Sequence, residues 1–145
     1  MSLKLDDQFC FPLYAASRAI QQRYRPLLKP LGLTYPQYLV MLVLWEHDGV
    51  SISEIGQQLL LDSGTLTPLL KRMEDAGLLT RDRSPQDGRV VILSLTDQGR
   101  QLQKRAHDVP ELLLQCIAPN TSISAVIALK RQLDALLQSL TSDAA

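Results

Sequence analysis

The chain has 145 residues, of which 46% are hydrophobic and 21% charged, and its formal net charge is zero. This composition is typical of a folded domain with a buried core, and no apolar run reaches the roughly 18 residues that suggest a membrane span. The acidic N-terminus does not resemble a secretory signal, and two widely separated cysteines, Cys10 and Cys116, form no disulfide framework. We therefore expect a cytoplasmic protein with reduced thiols and no membrane partner.

The first two predicted elements are helices. The first is predicted over 10–28, because Pro12 fits only in a first turn, where its missing N–H group has no partner to lose. Pro30 and Gly32 end this helix. A second helix is predicted over 35–46, capped by the preceding threonine and with a proline at its first position. Its run LVMLVLW is apolar on all sides, which predicts a fully buried helix.

Two shorter helices and a hairpin follow. Ser51 and Glu54 have the spacing of a capping box and predict a third helix, ISEIGQQLL. After a tight break, a fourth helix is predicted from Thr65 to about Gly77, with Pro68 in its first turn. The segments LLTRDRS and RVVILSLT, joined by a Pro-Gln-Asp-Gly turn, then predict a β-hairpin.

The remaining sequence predicts two more helices. The fifth is capped by Thr96 and runs from Asp97 to about Leu114, with Pro110 as a kink. The sixth starts at Ser122 or Ser124 and carries a broad apolar stripe. We expect three regions: an N-terminal dimerisation and sensor helix (1–34), a winged helix-turn-helix (35–99) and C-terminal dimerisation helices (100–145). The predicted fold class is mainly α with a small β wing.

The order helix, turn, helix and hairpin is that of a winged helix-turn-helix, which reads DNA with its second helix. Hydroxyl side chains at the start of the fourth helix can bond base edges, basic side chains further along can meet phosphates, and an arginine near the hairpin tip can enter the minor groove. A winged helix used only for protein contacts is the alternative. The predicted DNA-binding residues are Ser63, Thr65, Thr67, Lys71, Arg72, Arg83 and Arg89.

Several segments carry a family resemblance. DGRVVILSLTDQG, residues 87–99, resembles the wing signature of MarR-family transcription regulators. Residues 10–11, 34–38 (TYPQY), 44–46 (LWE) and 61–74 (LDSGTLTPLLKRME) resemble the organic-hydroperoxide-sensing branch of that family, the OhrR group. The resemblance implies a homodimeric repressor, without a cofactor, that binds pseudo-palindromic double-stranded DNA when reduced and releases it when an organic hydroperoxide oxidises it. It also implies that Asp62 pairs with Arg89, while Ser63 and Thr65 face bases.

Cys10 is the candidate sensor. A thiol at a helix N-terminus lies at the positive end of the helix dipole, which favours the reactive thiolate. Tyr14 is four residues on and shares its helix face, but Tyr24 lies roughly 21 Å along the same helix at 1.5 Å per residue. An antiparallel helix of a two-fold partner can bring Tyr24 close. The resemblance implies that Tyr24 and Tyr35 bond the sulfur across the dimer.

Cys116 determines the chemistry after oxidation, because a sulfenic acid condenses with a nearby thiol to a disulfide. The resemblance to two-cysteine members of the branch implies an intersubunit Cys10–Cys116 disulfide. Pro12 departs from the residue usual at that position. From the residues alone, Cys10 between Phe9 and Phe11 could instead be an inert core cysteine.

Three other functions are possible. A thiol peroxidase would need a constellation around Cys10, but Arg18, two turns later, has no acidic partner. A MarR-type repressor relieved by a small phenolic ligand would leave Cys10 incidental. A metal sensor is disfavoured because His47, His107 and the cysteines lack ligand spacing. We therefore predict neither an enzyme nor a metal site.

Overall fold

The structure is a computed structural model that describes residues 2–142. Seven α-helices, three short 3-10 helices and three strands make up its regular elements, and the predicted mainly α fold with a small β wing is confirmed. No single helix in this part of the chain is long and apolar enough to cross a membrane, although the bent pair 10–31 and 35–46 would pass together by length and composition. The helices are α1 (Cys10–Leu28), α2 (Tyr35–Glu46), α3 (Ile52–Leu59), α4 (Ser63–Asp75), α5 (Asp97–Ala106), α6 (Val109–Ile117) and α7 (Ile123–Ser142), and the strands are β1 (Val50–Ser51), β2 (Leu79–Arg83) and β3 (Val91–Leu95).

The chain divides into two compact units, the first ending at Val109 and the second beginning at Pro110. The division falls inside 100–145, which was expected to form a single dimerisation region. The first unit has a continuous apolar core built around α2, which contributes buried residues such as Val40, Met41 and Leu44. Leu42 on the same helix is 40% exposed, so the prediction that α2 is buried on all sides is wrong for the single chain.

Local caps set the starts of two helices in the first unit. The Thr34 hydroxyl accepts a hydrogen bond from the Gln37 backbone, and the Gln37 side chain accepts one from the Thr34 N–H, which forms a capping box at α2. Ser51 and Glu54 form the predicted capping box at α3, with distances of 3.2 and 2.7 Å. These reciprocal bonds satisfy N–H groups that a helix start leaves unpaired.

Helix α4 begins at Ser63, two residues before the predicted start. Asp62 is its cap, because a carboxylate oxygen accepts a 2.7 Å bond from the Thr65 backbone N–H. Pro68 therefore lies inside the helix rather than in its first turn, where its ring removes the N–H that would bond the Gly64 carbonyl. The buried side chains Leu66, Leu70 and Met73 fix the opposite side of α4 to the core.

The predicted hairpin is confirmed and belongs to a three-stranded antiparallel sheet in the order β1-β3-β2. The third strand is the two-residue β1, which pairs Val50 with Leu93 and is not among the elements predicted from the sequence. The wing is tied to α4 because Nε and Nη2 of Arg81 both donate to one oxygen of Glu74, at 3.0 and 2.7 Å. This contact holds the hairpin and α4 together.

The prediction of one long fifth helix is wrong. Helix α5 ends at Ala106, and after a turn at His107 and Asp108 a separate helix, α6, begins at Val109. Pro110 gives the physical reason, since it lacks the N–H that would bond Ala106 and its ring crowds that carbonyl. In the second unit, α7 leaves most of its predicted apolar stripe exposed in the single chain, including Ile123 (65%) and Leu140 (68%).

Candidate sensor site and nucleic-acid interface

Cys10 is the first residue of α1, and its side chain is exposed. The flanking Phe9 and Phe11 are exposed as well, at 70% and 44%. Cys10 is therefore not a core cysteine of the single chain, and its thiol is open to a reagent or a partner subunit. Cys116, in α6, is also a free, exposed thiol.

Tyr14 lies one turn after Cys10 and is 61% exposed. Its neighbour on the same face is Arg18, whose Nη1 donates a 3.4 Å hydrogen bond to the phenol oxygen of Tyr14 and whose Cζ lies 5.5 Å from the ring centroid. The pair places a phenol one turn, and a positive charge two turns, after the Cys10 thiol along α1.

Tyr24 belongs to an aromatic cluster at the other end of α1. Its ring centroid lies 4.7 Å from that of Tyr35 and 5.7 Å from that of Tyr38, both on α2. Burial, and to a lesser degree the two neighbouring phenols, raise the pKa of Tyr24 to about 12. Burial also raises the pKa of Tyr35 and of Tyr38. All three phenols are therefore neutral hydrogen-bond donors at physiological pH.

Helix α1 runs without a break from Cys10 to Leu28, although it contains two prolines. At 1.5 Å per residue, Tyr24 is roughly 21 Å from Cys10 along this helix. The structure thus brings together Tyr24 and Tyr35, and leaves Cys10 and Tyr14 at the opposite end of α1.

The aromatic cluster extends towards the wing through two residues that are not among the predicted site residues. Tyr38 packs edge-on against Trp45, with centroids 6.3 Å apart, and the Trp45 indole donates a 2.9 Å hydrogen bond to the Gly99 carbonyl in α5. The spacing of Tyr35, Tyr38 and Trp45 places them near one side of α2, and this was the available signal. Aromatic contacts thus connect the tyrosine pair to the helix that follows the wing.

A carboxylate reinforces the same junction. One oxygen of Asp48, just after α2, accepts a 2.8 Å bond from the Leu95 backbone, and the other accepts a 2.9 Å bond from Arg100. The end of α2 is therefore attached both to β3 and to α5.

The predicted DNA-binding side chains of α4 are all exposed, whereas Leu66, Leu70 and Met73 are buried. Hydroxyl groups occupy the first turns of α4 and basic groups the later turns. Arg83 and Arg89 are exposed on the wing. The exposed residues of α4 are Ser63, Thr65, Thr67, Lys71 and Arg72.

The wing arginines have partners within the hairpin. Arg83 donates a 2.6 Å hydrogen bond to the Gly88 carbonyl, and Arg89 pairs with Asp87 at 3.2 Å. Hydrogen bonds from Arg89 lower the pKa of Asp87. The expected pair between Asp62 and Arg89 is not formed here, because Asp62 caps α4 and the nearer Asp87 holds the arginine.

Metal-ligand geometry is absent from the described part of the chain. Within residues 2–142, no group of three or more histidine, cysteine or acidic side chains is arranged to hold a metal ion. His47 and His107 are both exposed.

Comparisons with known proteins identify the family. Residues 22–106 match the family described as transcriptional regulator SarA/Rot. The organic hydroperoxide resistance transcriptional regulator of Bacillus subtilis is 54% identical over 112 residues, which cover 77% of this chain and 76% of the relative. The chain belongs to the MarR family of DNA-binding transcription regulators.

Solved structures agree with this MarR-family assignment. Reduced AbfR bound to DNA is 37% identical and superposes with a TM-score of 0.78, and disulfide-formed AbfR is 40% identical with a TM-score of 0.65. The first comparison covers 94% of each chain and the second 92% of each, and AbfR comes from Staphylococcus epidermidis. The relatives are regulators rather than enzymes, which gives the thiol peroxidase alternative no support.

Proposed function

We propose that this chain is a homodimeric repressor that binds a pseudo-palindromic operator while Cys10 is reduced and releases it after an organic hydroperoxide oxidises Cys10. The observation that carries this proposal is the exposed Cys10 thiol at the start of α1, on a chain whose α4 and wing expose the side chains predicted to contact DNA. The likeness to an organic hydroperoxide resistance regulator supports the class of oxidant.

The oxidation is a two-electron reaction at sulfur. The Cys10 thiolate attacks the outer oxygen of the hydroperoxide, so an S–O bond forms, the O–O bond breaks, and the alcohol leaves with a proton. The Cys116 thiolate of the partner subunit then attacks the sulfenic sulfur, which forms the disulfide and releases water. Apolar, exposed Phe9 and Phe11 beside the thiol favour an oxidant with an organic group over hydrogen peroxide.

We infer the dimer from the distance between Cys10 and Tyr24 along α1. Because α1 is unbroken, the Tyr24–Tyr35 pair cannot contact Cys10 of its own chain along that helix. An antiparallel α1 of a second subunit places Cys10 of the partner subunit near this pair, where two neutral phenols donate hydrogen bonds to the thiolate. Exposed apolar side chains on α1, such as Phe11 and Ile20, supply surface for such an interface.

DNA release requires a change in the spacing of the two recognition helices. A two-fold dimer reads half-sites about 34 Å apart, so a modest rotation of one reader removes contacts. The contacts from Tyr24 through Tyr38 and Trp45 to Gly99 join the C-terminal half of α1 to the helix that follows the wing. Oxidation of the partner's Cys10 beside the tyrosine pair can move the wing through this connection.

The test uses the purified dimer and the DNA upstream of its own gene. Reduced protein is expected to bind this DNA, and cumene hydroperoxide is expected to release it from the wild type but not from Cys10→Ser. If Cys10→Ser still leaves the DNA on treatment, Cys10 is not the sensor and a small-ligand mechanism gains support. Non-reducing electrophoresis tests the second step: the wild type is expected to run as a covalent dimer after oxidation and Cys116→Ser as a monomer, whereas a monomeric wild type rules out the intersubunit bond.

A further inference from the structure

A groove of about 620 Å³ lies between the C-terminal half of α1 and the start of α2. Arg18, Arg25 and Lys29 line one wall, at spacings that place them on one side of α1 and its continuation. Tyr35 also lines the groove, and its ring centroid lies 4.7 Å from that of Tyr24. The groove is therefore adjacent to the tyrosine pair of the proposed sensor.

The groove has an uncompensated positive charge. Its lining includes three cationic side chains and no acidic one. Within residues 2–142, none of Arg18, Arg25 and Lys29 forms an ion pair, although the chain as a whole is neutral. Three exposed cations around one concave surface raise the local concentration of an anionic ligand.

The same groove also offers apolar surface. The accessible apolar part of the lining comes from Tyr35 and Pro36, because Leu28 and Leu33 are buried. A ligand that fits both the cationic and the apolar lining is an anionic amphiphile. Its charged group would lie on the arginines and its apolar chain along Tyr35 and Pro36.

We propose that this groove binds the carboxylate of a fatty-acid hydroperoxide, and that Arg18 and Arg25 thereby select oxidants by charge. This inference rests on the proposed function, because the groove shares Tyr35 with the site proposed for Cys10 of the partner subunit. The carboxylate is held away from the thiol, and the hydroperoxide group along the chain is presented to it. The redox step is unchanged: the thiolate takes one peroxide oxygen and the hydroxy fatty acid leaves.

The decisive comparison uses two oxidants that differ only in charge, linoleic acid hydroperoxide and its methyl ester, each below the concentration at which it forms micelles. Loss of the Cys10 thiol is followed by mass spectrometry in a Cys116→Ser background. The acid is expected to react about tenfold faster than the ester at low salt, a ratio within the range of electrostatic steering. The ratio is expected to fall towards one in Arg18→Gln/Arg25→Gln and at high salt.

Arg23→Gln is the matched control, because Arg23 is exposed on the opposite side of α1 and does not line the groove. It removes the same charge and is expected to keep the wild-type ratio. Equal rates for acid and ester in the wild type, or a ratio that Arg18→Gln/Arg25→Gln leaves unchanged, overturns the inference.

A binding measurement separates this inference from the proposed function. Calorimetry of Cys10→Ser with linoleate, which carries no peroxide, is expected to detect binding that the double arginine variant loses. If linoleate binds but Cys10 resists oxidation, the proposed function fails and the groove assignment stands. If Cys10 reacts with both oxidants at one rate and linoleate does not bind, the groove assignment fails and the proposed function stands.

Discussion

Trp45 donates a 2.9 Å hydrogen bond from its indole nitrogen to the carbonyl oxygen of Gly99, 54 residues away in the chain. Through Tyr38 the same ring is in contact with the cluster that contains Tyr24. The bond thus connects the tyrosine pair to the helix after the wing. Trp45 is the only tryptophan of the chain, so its emission reports on this junction.

Trp45→Phe keeps an aromatic ring on Tyr38 but leaves the Gly99 carbonyl without its indole donor. We expect the free energy of unfolding to fall by about 1–2 kcal/mol, the range for a lost hydrogen bond to a partly buried group. Urea unfolding followed by circular dichroism measures the change. Tyr14→Phe, at an exposed phenol, is the control and is expected to change stability by less than about 0.5 kcal/mol. Equal midpoints for Trp45→Phe and the wild type would show that the bond contributes nothing.

Gly99→Ala tests how closely α5 approaches the backbone of Leu78, in the segment between α4 and β2. A β-carbon at this position would lie 2.1 Å from the backbone oxygen of Leu78, so the backbone itself has to move. We expect a loss of about 3 kcal/mol in unfolding free energy, at the upper end for overpacking. Gly88→Ala is the matched control, because its β-carbon would meet nothing within 4 Å. A thermal melt in which both variants behave alike contradicts the close approach.

Glu74 makes the stability of the wing junction dependent on pH. Hydrogen bonds from Arg81 hold the pKa of Glu74 below its usual 4.5. A lowered folded-state pKa contributes stability above the unfolded-state pKa, and the contribution is lost as the pH falls through the folded-state value. Glu74→Gln is therefore expected to lower the urea midpoint at pH 7, with a difference from the wild type that shrinks below about pH 4. Asp75→Asn, which removes an exposed partner of Lys71, is expected to change the midpoint little; a Glu74→Gln difference independent of pH refutes this account.

Tyr24 gives the opposite dependence at high pH. Its pKa is raised from 10.0 to about 12, chiefly by burial. A raised folded-state pKa contributes stability that is present below the unfolded-state pKa and is lost as the pH rises from about 10 to 12. The wild type is expected to lose stability relative to Tyr24→Phe over this interval, in urea titrations at stepwise pH. Parallel curves for the two proteins would place the Tyr24 phenol in open solvent.

Arg89→Gln tests the wing in DNA binding. The Arg89 side chain is 92% exposed and pairs with Asp87, so it can exchange that partner for the DNA. We expect operator affinity to fall about tenfold and the salt dependence of binding to decrease by about one ion. Fluorescence anisotropy at several salt concentrations measures both. Arg131→Gln on α7 removes the same charge outside α4 and the wing and should leave affinity unchanged; an equal loss in both variants points to net charge alone.

Local interactions explain most of what was predicted correctly. The caps at Thr34 and Ser51 and the turn before Arg89 involve residues within three or four positions of each other, so their spacing is legible in the sequence. The two wrong helix bounds also have local causes. Asp62 is an ordinary cap for α4, which shifted the helix start, and Pro110 ends a helix that it was expected only to kink.

The sequence by itself determined the winged helix-turn-helix order and placed Cys10 at the start of a long helix, because periodicity, caps and turns act over a few residues. Only the tertiary structure decided that Tyr38 and Trp45 extend the Tyr24–Tyr35 pair to Gly99, since those contacts join residues far apart in the chain. It also decided that Arg18, Arg25 and Lys29 line one groove together with Tyr35 and Pro36 of α2. Such juxtapositions depend on how helices pack, and packing leaves no fixed spacing in the sequence.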